Sequence, residues 1–118
     1  MTENKPIISL IGAGMMGEAI IAGLLRQEIT SPANIRISDP RQERINELVN
    51  RHQVAGYTDN LNCIQNADIV ILATKPQNLD KVYIDLKGNI PEGALVLSIV
   101  AGATIQNINS GLNHSNIV

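Results

Sequence analysis

Gly12, Gly14 and Gly17 stand at G-x-G-x-x-G spacing between an apolar run, Ile7 to Ile11, and a stretch with helical character from Met15 to Leu25. Glycines so placed suit a phosphate cradle. The first permits a tight turn out of a strand, the second lets backbone approach a pyrophosphate, and the third lets the helix sit close to the sheet. Amides at the helix start then face the anion, whose charge the helix dipole favours. Ile11, Gly12, Ala13, Gly14, Met15, Met16 and Gly17 are therefore candidate contacts to a dinucleotide cofactor.

Asp39 closes the next apolar strand, where an acidic residue accepts the hydroxyls of an adenosine ribose and so favours NAD. It has a second reading as a helix N-cap, with Pro40 as the first helical residue and Gln42 completing a capping box. Arg41 opposes the dipole of such a helix, so it either meets a 2′-phosphate, helped by Arg44 and favouring NADP, or is simply exposed. Lys75, in the turn Thr74-Lys75-Pro76-Gln77, would reach a phosphate or a substrate carboxylate, or be an ordinary loop lysine.

These residues need elements to hold them. Apolar runs at 6 to 11, 35 to 38, 53 to 57, 68 to 73 and 94 to 100 read as strands, with helical patterns between them. Met16, Ile20, Gly23 and Leu24 share one helical face, as do Ile45, Leu48 and Val49, and then Leu79, Val82 and Leu86. Alternation of this kind predicts an α/β fold, a Rossmann-type doubly wound parallel sheet forming one domain over residues 1–118, with its crevice at the carboxyl ends of the strands. Asn116 to Val118 reads as the opening of a sixth strand, and the chain as a fragment.

Bulk composition narrows the function classes. The 118 residues are 44% hydrophobic and 17% charged, with net charge −2, two Tyr and neither Phe nor Trp. Interspersed charge and scarce aromatics exclude a nucleic-acid surface. Residues 7 to 25 are apolar enough to suggest a membrane span or signal peptide, but Glu18, four glycines and the balanced charge of Met1 to Lys5 argue against both. The single cysteine, Cys63, reads as a small buried residue in a short helix over Leu61 to Ile64, with His52 and His114 isolated from it. No His, Cys and carboxylate set has metal-ligand spacing, and a reducing cytoplasm is the default compartment.

Three segments together resemble pyrroline-5-carboxylate reductase: the glycine loop Ile11 to Ala19, the Ala67-Asp68 strand running into Thr74-Lys75-Pro76-Gln77, and Leu97 to Ile105 with its Ala101-Gly102-Ala103-Thr104 turn. The resemblance implies hydride transfer from NAD(P)H to the imine carbon of 1-pyrroline-5-carboxylate, giving proline. It places Asp39 by the adenosine ribose, Asn60 on the cofactor, and Ala73, Thr74, Lys75 and Pro76 with Ile99, Val100 and Ala101 around the nicotinamide half. NADP is the cofactor it implies, with NAD possible because the family often has a small uncharged residue where this chain has Asp39. It further implies a second, all-helical domain that forms a homo-oligomer and much of the imine site, expected to be absent here, so that this segment alone is inactive. No residue is assigned a catalytic role. The rival readings are a β-hydroxyacid dehydrogenase-like domain and a nucleotide-sensing regulatory domain without enzymatic activity.

Overall fold

In a computed structural model, which describes residues 5–118, five strands form one parallel sheet in the order β3-β2-β1-β4-β5. The strands are β1 (Ile8–Ile11), β2 (Ile35–Ser38), β3 (Ala55–Tyr57), β4 (Ile69–Leu72) and β5 (Leu95–Ser98). Ile8 of β1 is in register with Ile35 on one side and Ile69 on the other, which puts the reversal of strand order beside β1. Asn116 to Val118 extend the sheet past β5 through Val96 N to Asn116 O at 2.8 Å and Val118 N to Val96 O at 2.8 Å. The expected sixth strand is thus begun.

Because successive strand residues face opposite ways, each buried strand supplies both cores. Ile8 and Leu10, Ile35 and Ile37, and Ile71 pack beneath α1 (Met15–Arg26) and α2 (Gln42–His52). Ile11, Val70, Leu72 and Val96 face α3 (Asn60–Cys63), α4 (Leu79–Leu86) and α5 (Ile105–Leu112). Ser9 points to the same side, and its hydroxyl donates to the Cys63 carbonyl at 2.6 Å, which removes the cost of burying it.

Several expectations need correction. The strands are shorter than the apolar runs; Val54 and Val100 are buried but lie outside the ladder. In α1 the buried stripe runs through Gly17 and Ile21, with Ile20, Leu24 and Leu25 at its flanks, one residue on from the expected stripe. Met16 is exposed, because the close approach at Gly17 fixes which face of the helix meets the sheet. The Ile45, Leu48, Val49 and Leu79, Val82, Leu86 stripes lie inward as expected. The charge balance of Met1 to Asn4 lies outside the described residues. Among those described, no helix is long and apolar enough to cross a membrane.

Candidate functional site

The glycine loop is positioned from three sides. Gly12 N donates to Ser38 O at 2.9 Å, Ala73 N donates to Ile11 O at 2.8 Å, and Ala13 N donates to Asp39 Oδ2 at 3.0 Å. Gly12 has φ +111°, and a Cβ there would lie 2.7 Å from the Ala73 carbonyl carbon. A Cβ at Gly17 would lie 2.5 Å from Gly12 O, so the helix leaves the loop as closely as backbone allows. Gly14 is different: a Cβ there meets nothing within 4 Å. Its missing side chain leaves open space where a ligand would approach.

The first backbone hydrogen bond closing α1 runs from Glu18 N to Gly14 O at 3.0 Å. The Met15, Met16 and Gly17 amides therefore precede the helix ladder, the usual place for an anion. Behind them, Arg44 donates from Nε to Ala13 O at 2.6 Å and from Nη2 to Glu18 at 3.0 Å, and is ion-paired with Glu47. Glu18 also takes Arg51 at 2.6 Å and His52 at 2.8 Å. Hydrogen bonds from His52 and Arg51 overcome its partial burial and, with Arg44, hold its carboxyl down at about 2. Arg44 thus buttresses the loop and is not available to meet a 2′-phosphate. His52, isolated in sequence, belongs to the same network.

Asp39 is buried directly after β2. Arg41 grips it with Nε on Oδ1 at 2.8 Å and Nη2 on Oδ2 at 3.0 Å, and the Arg41 amide adds a bond to Oδ1 at 3.0 Å. Burial works to raise the Asp39 carboxyl, but the guanidinium and the Arg41 and Ala13 amides outweigh it and hold it below the usual carboxylate range. The expected N-cap role is corrected here. Helix α2 begins at Gln42 with Arg41 as its cap residue, Pro40 lies outside it, and Gln42 donates to Asn46 rather than back to Asp39. The side chain is drawn to the glycine loop instead, because the Ala13 amide needs an acceptor.

A cavity of about 420 Å³ opens at the carboxyl ends of β1, β2 and β4. Of the residues expected in the site, Ile11, Gly12, Ala13, Gly14, Asp39, Arg41, Asn60, Ala73, Thr74 and Lys75 line it. Met15, Met16 and Gly17 lie at the start of α1 rather than on its wall, and Pro76 begins a 3-10 turn, Pro76–Asn78, that leads into α4. Ile99, Val100 and Ala101 follow β5, where Ile99 N donates to Leu72 O at 3.0 Å; they are not part of this cavity.

One wall was missed in the sequence. Thr58 and, from the approach to α4 and its face, Asn78, Lys81, Val82 and Asp85 line the cavity opposite Asp39. Lys81 Nζ donates to Asp85 Oδ1 at 2.8 Å, Asn60 Nδ2 to Asp85 Oδ2 at 3.0 Å, and buried Ser38 Oγ to Asn60 Oδ1 at 2.6 Å. The signal was present: positions 78, 81 and 85 fall on one helical face, beside the apolar one that holds Val82. Cys63 is buried, and its desolvation pushes the thiol up to about 12, so it takes no part as a nucleophile. Among the described residues, no group of three His, Cys, Asp or Glu side chains could hold a metal ion.

Comparison with known proteins gives this arrangement a context. Residues 7–102 match the family model described as NADP oxidoreductase coenzyme F420-dependent. The chain is 37% identical over 110 residues to a pyrroline-5-carboxylate reductase of Methanosarcina acetivorans, covering 93% of this chain and 40% of that protein. It superposes on a pyrroline-5-carboxylate reductase from Coxiella burnetii with a TM-score of 0.79 and 26% identity, over 92% of this chain and 40% of that one. A pyrroline carboxylate reductase of Plasmodium falciparum, solved with NADP bound, gives a TM-score of 0.81 at 20% identity over 98% and 42% of the two chains, a likeness of fold alone. The chain spans 40% or less of the length of the first curated relatives it matches.

Proposed function

The chain belongs to the family described as NADP oxidoreductase coenzyme F420-dependent, and from that premise we propose that it is the NAD(P)H-binding domain of a pyrroline-5-carboxylate reductase acting in proline biosynthesis. The observation that carries this reading is the open space at Gly14, facing a cavity that Asp39 and the ends of β1 and β4 enclose. A ligand that comes against bare backbone would use that space. The likeness in sequence to the Methanosarcina acetivorans enzyme supplies the choice of reaction.

Within this reading, the amides from Gly14 to Gly17 bind the pyrophosphate, with the helix dipole behind them. Asp39 takes the adenosine ribose, and Asn60, held by Ser38 and Asp85, stands beside it. The turn from Ala73 to Pro76 presents small residues and backbone to the nicotinamide half, and Ile99 to Ala101 border it from the end of β5. The bound dihydronicotinamide supplies the hydride that reduces the imine. Protein fixes the cofactor's position for that transfer, a contribution of orientation rather than of acid or base. No cavity-lining side chain is given the role of proton donor. The reading includes a cytoplasmic enzyme whose imine site and homo-oligomer contacts come from outside residues 1–118.

Titration of the 118-residue chain with NADH and NADPH tests the assignment. Saturable binding of a reduced nucleotide, with no proline formed from 1-pyrroline-5-carboxylate by this chain alone, is the expected result. Failure to bind either nucleotide sinks the cofactor reading, and turnover by the chain alone sinks the placement of the imine site outside it.

A further inference from the structure

We propose that Arg44 is a positioning residue for the cofactor's pyrophosphate: by holding the Ala13 carbonyl toward α2, it turns the Gly14 amide into the crevice. This rests on the cofactor reading above, and within it Arg44 touches no part of the nucleotide.

The loop needs such a restraint. Ala13 joins two peptides, and the first is fixed because Ala13 N donates to Asp39 Oδ2 at 3.0 Å. The second, from Ala13 to Gly14, has no backbone partner among the described residues: Glu18 N closes the helix onto Gly14 O, and no amide reaches Ala13 O. A flip of that peptide would carry φ of residue 14 from −81° to positive values, which glycine takes without strain. The residue that gives a ligand room therefore also leaves its own amide free to turn away.

Arg44 supplies the restraint from α2. Nε donates to Ala13 O at 2.6 Å, Nη2 to Glu18 Oε1 at 3.0 Å and Nη1 to Glu47, so each nitrogen of the planar group has its own partner. Glu18 is anchored in turn by Arg51 and His52 on the same helix. The Arg44 side chain is 17% exposed, and its charge is met by two carboxylates. What it gives the loop is geometry rather than attraction for an anion.

A trans peptide carries its C=O and N–H on opposite edges. With Ala13 O turned to Arg44, Gly14 N–H is turned away from it. Gly14 lines the cavity and Arg44 does not, so that direction is into the crevice. The Gly14 amide donates to no acceptor among the described residues, which leaves it for a phosphate oxygen.

The test compares two ligands of the 118-residue chain: whichever of NADH and NADPH binds it tighter, read by reduced-nicotinamide fluorescence in a protein without Trp, and adenosine, which has no phosphate. Arg44→Met keeps an unbranched stem and removes every donor. It should weaken the reduced nucleotide at least about tenfold, the scale of one hydrogen bond to a charged group, and leave adenosine within about twofold. Arg44→Lys keeps the charge without the rigid fork, and should stay at least about threefold weaker than the unmodified chain. In NMR spectra of the unmodified chain, the reduced nucleotide should move the Gly14 amide resonance and leave the Arg44 Nε–H resonance in place, a measurement that needs no variant to fold. Undiminished nucleotide binding by Arg44→Met overturns the proposal. So does equal weakening of nucleotide and adenosine, which marks a general loosening of the fold. Full affinity in Arg44→Lys shows that charge suffices, and a large shift of the Arg44 Nε–H signal shows that the guanidinium meets the phosphate itself; either result overturns the positioning role. If the unmodified chain binds neither reduced nucleotide, the cofactor reading itself fails, a result distinct from the others.

Discussion

Alanine at each of the three loop glycines should separate folding from binding. At Gly14 the backbone has φ −81° and ψ −165°, open to any residue, and an added Cβ meets nothing within 4 Å. Reduced freedom in the unfolded chain stabilises Gly14→Ala by about 0.4–1 kcal/mol. Loss of a favourable N-cap residue costs a similar amount, about 0.5–1 kcal/mol, so the net change in stability is close to zero. The methyl group nevertheless occupies the approach to the loop amides, and an overpacked contact of about 1–3 kcal/mol weakens nucleotide binding roughly 5- to 150-fold. Gly12→Ala carries the opposite signature. Its positive φ costs about 1–3 kcal/mol and the 2.7 Å approach to Ala73 a similar amount, so the fold loses roughly 2–6 kcal/mol. Gly17→Ala falls between, since about 1 kcal/mol of helix propensity offsets part of the clash with Gly12 O. Urea unfolding followed by circular dichroism, with NADH titration of the same samples, reads both quantities. A Gly14→Ala chain that folds normally and binds nucleotide as well as the unmodified one would refute the reasoning, as would one that unfolds.

Three further outcomes are expected. Glu18 is held at about 2 from an ordinary 4.5, so its contribution is complete above pH 4.5 and disappears as pH falls through about 2. After solvent screening that contribution is about 1–2 kcal/mol, and Glu18→Gln should flatten the acid limb of stability over that window; parallel limbs would count against it. Cys63 should resist thiol reagents at pH 8 until urea unfolds the chain, and modification of the folded protein at a free-thiol rate would contradict its burial. Tyr83 buries a hydroxyl with no hydrogen-bond partner among the described residues, so Tyr83→Phe should raise stability by about 1 kcal/mol in urea titration, and a loss would show that the hydroxyl is satisfied.

How much of this was legible in the sequence depends on how local each constraint is. The order of strands and helices could be read because buried parallel strands are continuous apolar runs, and the glycine loop because its three glycines fall within six residues at a recognisable spacing. The Asp39 cap was misread for a nonlocal reason: capping explains a carboxylate before Pro40 as well as the distant Ala13 amide does, and only folding decides between them. Arg44 and His52 were likewise opaque, since both act on Glu18, a partner on another helix. The α4 wall was missed because Lys81 and Asp85 look like an ordinary i, i+4 surface pair. What exposed their role is Asn60, reaching across from α3 to the same carboxylate.

The strand order also sets a timetable for assembly. Strand β1 emerges first during synthesis yet occupies the middle of the sheet, flanked by β2 and β4. Its last residue, Ile11, is bound by Ala73 N, and the loop after it by Ser38 O and the Asp39 carboxylate. The cradle therefore cannot close until residues through Ala73 have been made and have docked, so it forms by long-range pairing rather than local winding. Until then the apolar strand β1 waits without its neighbours β2 and β4. An unpaired apolar strand is the kind of segment that aggregates during folding, and nucleotide can favour the native state only after that docking is complete.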